Sequence, residues 1–132
     1  MPHIVLHLSG PVDHGLARRS VDKVIDLTCR VLDKRPEVIS IQVLFTPSEQ
    51  WYIAGKTLAE TGRSAFHLDI SVTDETNTKA EKARFIRELF DAMKELRPDL
   101  HEVSYAYVID ARATAYGYGG RTQEYRHQQA GV

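Results

Sequence analysis

Cysteine is almost absent: Cys29 is the one cysteine in 132 residues. That excludes an internal disulfide framework and a cysteine-based zinc site. Charge of one sign is missing as well. The formal net charge is −1 and the lysines and arginines are scattered, so there is no electrostatic footprint for nucleic acid or an anionic membrane. No apolar run approaches the roughly 18 residues of a membrane span. The first residues lack the basic-then-apolar layout of a signal peptide, and the expected compartment is the cytoplasm. The run Gly117-x-Gly119-Gly120 does not lead from a strand into a helix, so it is no dinucleotide fingerprint. His3 and His7 share a strand face, but a metal needs a third ligand and outer support, and the other histidines show no ligand spacing. No metal and no cofactor are expected.

What remains is the composition of an ordinary globular chain, 42% hydrophobic and 27% charged, long enough to bury a core as a single domain over 1–132. Residues Pro2 to Leu8 read as a strand, with Ile4, Leu6 and Leu8 on one face and His3, Val5 and His7 on the other. After Ser9-Gly10-Pro11, Asp13 is a candidate N-cap for a helix to about Asp33. Its buried stripe is Val21, Val24, Ile25, Thr28, Val31 and Leu32. Lys34-Arg35-Pro36 ends it. Val38 to Phe45 reads as a second strand, and Trp51-Tyr52-Ile53 as a short arm.

The pattern then recurs. Lys56 to Ser64 reads as a polar connector. Phe66, Leu68, Ile70 and Val72 alternate with His67, Asp69 and Ser71 as a half-buried strand. Thr78 to Glu81 has the form of a capping box. Ala83, Ile86, Leu89, Phe90, Met93 and Leu96 give a second helical stripe, ended by Arg97-Pro98. Val103 to Ile109 is another strand, and Tyr116-Gly117-Tyr118-Gly119-Gly120 a second aromatic arm. Residues 121–132 read as a polar tail, disordered from Arg126 onward. Arg97-Pro98 repeats Arg35-Pro36, and the second arm repeats Trp51 to Gly55. The expected fold is therefore α/β (α+β). Tandem β-α-β units over 1–55 and 65–120 form one four-stranded sheet, with both right-handed crossover helices on one face.

The other sheet face is not all solvent, because each strand has apolar or aromatic residues on both sides (Val103, Tyr105 and Tyr107 alternate with Ser104, Ala106 and Val108), and an uncovered face of that character packs on another subunit. Light scattering at micromolar concentration is expected to show a homo-oligomer; a monomer would overturn this.

Pro2 is the residue from which chemistry is read. Initiator methionine is commonly removed before proline, which leaves a secondary amine at the chain start. Modest burial of such an amine leaves it neutral and basic near neutral pH. With this proline, two β-α-β units and an aromatic arm closing each, the chain resembles the tautomerase superfamily, specifically its fused, oxalocrotonate tautomerase-like two-unit members. Met1-Pro2-His3 is similar to the opening of carboxymethyl-hydroxymuconate isomerase. The resemblance implies catalysis by Pro2, an active-site aromatic at Trp51, a site tyrosine at Tyr107 and a homotrimer. The sequence departs from the superfamily where oxalocrotonate tautomerase has arginines; those places hold Val12 or a neighbour, and Gln42. Where the chloroacrylic acid dehalogenases carry two arginines, a late glutamate and a helix histidine, the chain has Val72, Glu75 or Asn77, Tyr118 and Cys29. The sequence does not support hydrolytic dehalogenation.

The expected reaction is a proton shift, keto–enol or 1,3-allylic, on a small enolisable 2-oxo or 2-hydroxy carboxylate, with the Pro2 amine as general base. Tyr107, Tyr116 and Tyr118 are candidates to stabilise the developing dienolate. Arg112 and Arg121, flanking the second arm, are candidates for the carboxylate. A decarboxylase or hydratase using the same proline as an acid stays open, as does a ferredoxin-like oligomer binding a small ligand without chemistry.

Overall fold

The computed structural model describes residues 2–130. Met1, Gly131 and Val132 lie outside the described residues, and with them the expected removal of Met1 and the end of the expected tail.

Strand β1 (His3–Ser9) buries alternate residues. Helix α1 (His14–Leu32) starts where the Asp13 carboxylate accepts the Leu16 N–H at 3.0 Å and stops at Asp33, whose φ of +57° turns the chain out of the helix. A single 3₁₀ turn, Pro36–Val38, precedes β2 (Ser40–Thr46). The strand expected from Val38 thus starts two residues later, because Pro36 sets the turn. The first arm is a hairpin of β3 (Tyr52–Ile53) and β4 (Lys56–Thr57), followed by the one-turn helix α2 (Leu58–Thr61). The stretch read as a polar connector therefore carries structure, and its short helix is held by a capping box between Thr57 and Glu60.

The second half repeats this plan with β5 (Phe66–Thr73), α3 (Lys79–Leu96) and β6 (Tyr105–Ala111). The expected capping box at Thr78 and Glu81 is present. The second arm is β7 (Gly117–Tyr118) and β8 (Arg121–Thr122), and α4 (Gln123–Gln129) follows directly. Most of the expected tail is thus ordered structure, because Thr122 caps α4 by accepting the Tyr125 N–H at 3.0 Å.

The four long strands form one sheet in the order β2-β1-β5-β6. Each half contributes a parallel pair, and β1 and β5 join the halves antiparallel, with Ile4 opposite Ile70, Leu6 opposite Leu68 and Leu8 opposite Phe66. Those six residues are at most 1% exposed and form one core with Val24, Leu27 and Val31 of α1 and Phe85, Leu89 and Met93 of α3. Both helices thus cover one face, as the β-α-β reading requires. The other face is open, with Leu44, Tyr105 and Tyr107 exposed on it.

The stripe of α3 differs from the sequence expectation. Phe85 is fully buried, whereas Ala83 and Ile86 face outward, Ile86 at 40% exposure. Phe85, Leu89 and Met93 recur every four residues and take the centre of the face. Phe85→Ala is expected to lower the unfolding free energy by about 3–5 kcal/mol in a urea titration. Ile86→Ala should change it by less than about 0.5 kcal/mol. Equal losses would contradict this helix register.

Candidate functional site

Pro2 is buried, and its carbonyl accepts the Ser40 N–H at 3.3 Å. His3 pairs with Ser40 on β2 and Ser71 on β5. Continued by one residue, the register sets Pro2 between Ile39 and Val72, with Val38 and Thr73 one residue further along their segments. Those two residues line a cleft of about 790 Å³. By strand alternation Pro2 shares the helix-covered face with Ile4. Leu32 and Lys34 from the end of α1 form one wall of the cleft, and Tyr118, Gln123 and Arg126 from the second arm and α4 form the other.

Local bonds hold both walls. On the α1 side, Asn77 Nδ2 donates to the Leu32 carbonyl at 2.9 Å, and Lys34 Nζ donates to Thr76 Oγ1 at 3.0 Å. Lys34 is half-buried, and burial pushes its ammonium below the ordinary lysine range. On the arm side, Gln123 N–H donates to the Tyr116 carbonyl at 2.8 Å, and Gln123 Nε2 donates to Thr73 Oγ1 at 3.3 Å. The Arg126 guanidinium lies 3.8 Å over the Tyr118 ring and donates from Nη2 to the Tyr118 carbonyl at 2.9 Å.

Of the residues singled out in the sequence, the cleft beside Pro2 gathers only Tyr118. Tyr116 stands nearby, but its hydroxyl is committed, donating to the Ser71 carbonyl at 3.0 Å; burial pushes its pKa up to about 12. Arg121 lies 4.6 Å from the Tyr125 ring centroid and lines a separate hollow with Tyr116. Arg112 is exposed just after β6. Tyr107 is 60% exposed on the open face, opposite Asp69. Trp51 lines a hollow of about 320 Å³ with Tyr52, His7 and His67, near the far end of β1. His7 and His67 meet edge to face there, with centroids 5.9 Å apart. Among the described residues, no group of three or more His, Cys, Asp or Glu is arranged to hold a metal ion. Nor is any helix long and apolar enough to cross a membrane.

Lys34, Gln123 and Arg126 were not legible as site residues. Lys34 sat in a helix-ending Lys-Arg-Pro run, and the other two in a stretch without hydrophobic period. The one available signal was Thr122 as an N-cap, which marks α4 as a helix.

No family model and no curated protein matches the chain by sequence. Solved structures do match it. Pt0534 inactivated by 2-oxo-3-pentynoate superposes with a TM-score of 0.81 at 10% identity, covering 94% of this chain and 98% of that one. R7 fused 4-OT, an asymmetric trimer, gives 0.79 at 16% identity, with 95% and 98% covered. A macrophage migration inhibitory factor-like protein from Entamoeba histolytica gives 0.74 at 14% identity, with 92% and 97% covered. The chain therefore has the fold of the fused tautomerase-superfamily proteins, over nearly its whole length.

Tyr116 yields a pH prediction. Its folded pKa lies above the ordinary value near 10, so the unfolded chain loses that proton first as pH rises. Stability is expected to fall between about pH 10 and pH 12, and Tyr116→Phe should flatten that part of the profile. Parallel alkaline profiles for the two proteins would contradict the burial of this hydroxyl.

Proposed function

We propose that the chain is a tautomerase-like isomerase whose Pro2 amine, freed by loss of Met1, moves a proton on a small enolisable 2-oxo or 2-hydroxy carboxylate. The observation that carries this reading is the position of Pro2: buried at the start of β1, beside a cleft that Val38 and Thr73 line and Pro2 itself does not. Burial favours the neutral amine, the form that accepts a proton. The amine takes the proton from an enol hydroxyl and returns it to the conjugated carbon, so nothing is consumed and no cofactor is needed. Lys34, half-buried in the cleft wall, is placed to hold the substrate carboxylate, and Tyr118, on the other wall, is the candidate to steady the dienolate. Hydrolytic dehalogenation is not supported, since the chain lacks that constellation of residues.

The open sheet face and the trimers among the structural neighbours support a homotrimer. Pro2 lies five residues from His7 along β1, about 17 Å at strand rise. Trp51 would therefore reach a Pro2 cleft from another copy, as would Tyr107, which is exposed on the open sheet face. Arg121, stacked on Tyr125, joins the site on the same terms, whereas Arg112 follows Ala111, which pairs with Thr73, and precedes the cleft residue Ala113. The expected setting is the cytoplasm.

Three measurements test this reading. Intact mass should show Met1 absent; a retained Met1 makes the proline nitrogen an amide and removes it as a base. Pro2→Ala should lower turnover of phenylenolpyruvate by about 10²-fold or more. Unchanged turnover would leave a ligand-binding oligomer as the better reading. A basic Pro2 gives activity that rises with pH through its titration. Activity confined to a β-keto acid, falling as pH rises, would instead indicate a decarboxylase using Pro2 as an acid.

A further inference from the structure

We propose that His7 and His67 form a binding site for a divalent transition-metal ion of the kind imidazole prefers, zinc or nickel, with Asp69 as the supporting carboxylate. The site lies toward the end of β1 remote from Pro2, and it does not depend on the Pro2 reading.

Along the sequence, His7 lacked both a further ligand and outer support. The fold supplies one of each. Strand pairing sets His67 of β5 directly opposite His7, and residues directly opposite in an antiparallel pair project on the same face. The two rings meet with centroids 5.9 Å apart and planes at 68°. Two imidazoles sharing one tetrahedral zinc ion have centroids about 5 Å apart, given Zn–N distances of about 2.0–2.1 Å. The pair therefore has to close by less than about 1 Å. Rotation about χ2, a broad and soft torsion, turns the edge-to-face contact into convergence on one ion.

Asp69 is the outer support. Its Oδ1 lies 2.9 Å from His67 Nε2. A carboxylate in that place accepts the Nε2 proton, fixes the tautomer and leaves the Nδ1 lone pair free for an ion. It also makes the ring a stronger ligand. Asp69 is thus spent on His67, so the chain offers two ligands and not three. A structural zinc uses four protein ligands; with two, the ion keeps water and exchanges.

The surroundings suit a cation. The hollow beside the pair, about 320 Å³, is walled by Thr46, Gln50, Trp51 and Tyr52, with no lysine or arginine to compete. Leu44 and Tyr105 pair with His7 and His67 from the outer strands and bring no charge. His67 keeps 46% of its side chain exposed, which leaves an ion a path.

Trp51 makes the site readable, because it is the one tryptophan of the chain and lines the same hollow. Ni²⁺ added to the oligomer as purified should quench Trp51 emission saturably, at one ion per chain. Zn²⁺, which does not quench, should displace it and restore the emission. Asp69→Asn keeps both ligands and the side-chain shape, and should weaken Zn²⁺ binding by about tenfold. His7→Gln and His67→Gln should each weaken it at least as much. His3→Ala, on the same sheet face but outside the hollow, should leave it unchanged. Quenching that survives in the double variant His7→Gln, His67→Gln marks an adventitious ion only and overturns the proposal. An unmodified protein that binds neither ion saturably overturns it as well, as does an equal loss in His3→Ala. Unchanged affinity in Asp69→Asn would remove the carboxylate from the site, and that variant carries the test if a histidine variant fails to fold.

Discussion

The antiparallel contact between β1 and β5 is the constraint on which the rest depends. Each half of the chain is a parallel strand pair with one crossover helix, and the inner edge of each, β1 or β5, is paired by the other half. Joined at β1 and β5, the halves pool Ile4, Leu6 and Leu8 with Phe66, Leu68 and Ile70 in a row closed to water. Side chains in such rows pack directly opposite one another, and a one-residue slip would send all of them to the open face. The register is therefore fixed by burial. Fixing it also decides where the chain start lies. Because β5 runs antiparallel to β1, the first residues of one meet the last residues of the other. Pro2 is thus held beside Val72, and the loops that follow β5 and β6 become the walls around it.

The same join produces a second, related end of the sheet, where β5 starts and β1 finishes. There is no chain start there, and the hollow near that end, lined by Trp51, Tyr52, His7 and His67, has only about 320 Å³. Ser9 and Ser64 are buried. Arg97 donates from Nη1 to the Ser9 carbonyl at 2.8 Å, and Ser64 Oγ donates to Asp99 at 2.6 Å. The Ser9 hydroxyl accepts the Ala65 N–H at 3.0 Å. Polar groups that would otherwise face an open cleft are satisfied by the chain itself. Duplication thus gives two similar ends with opposite fates. One is sealed by an arginine that follows a crossover helix. The other is left open beside a lysine, Lys34, in a comparable position after its own helix.

The fold was legible because it is written in period. Alternation in 4–8 and 66–72, helical spacing in both crossovers and the repeated Arg-Pro stops each had one structural solution. The misplaced stripe of α3 shows the limit. Phe85 and Ile86 are adjacent and both apolar, and hydropathy alone does not say which of two neighbours faces inward; packing on the sheet decides. The cleft was far less legible. Pro2 and Tyr118 were accessible, one by its position and the other by its aromatic arm. Lys34 and Arg126 owe their placement to backbone geometry remote from any motif. For Lys34 it is a left-handed residue at Asp33 that turns the chain, and for Arg126 a short helix started by Thr122.

Arginine is absent from the positions where the resemblance would place it, at Gln42 and around Val12, and with the gaps at Val72 and Tyr118 this tells against hydrolytic dehalogenation. The described residues relocate the question. Arg121 stacks on Tyr125 and Arg112 is exposed just after β6, whereas a cation absent from the strands, Arg126, is present on α4 and lines the cleft. A fold of this kind keeps its sheet and crossover helices under packing constraint, so change is tolerated most easily in the arms and terminal segments. Positive charge arriving on α4 can alter what the cleft accepts without disturbing a single core contact. Under the proposed function the amine is supplied only by the start of β1, so the base would stay tied to the fold while the groups around the cleft are free to differ.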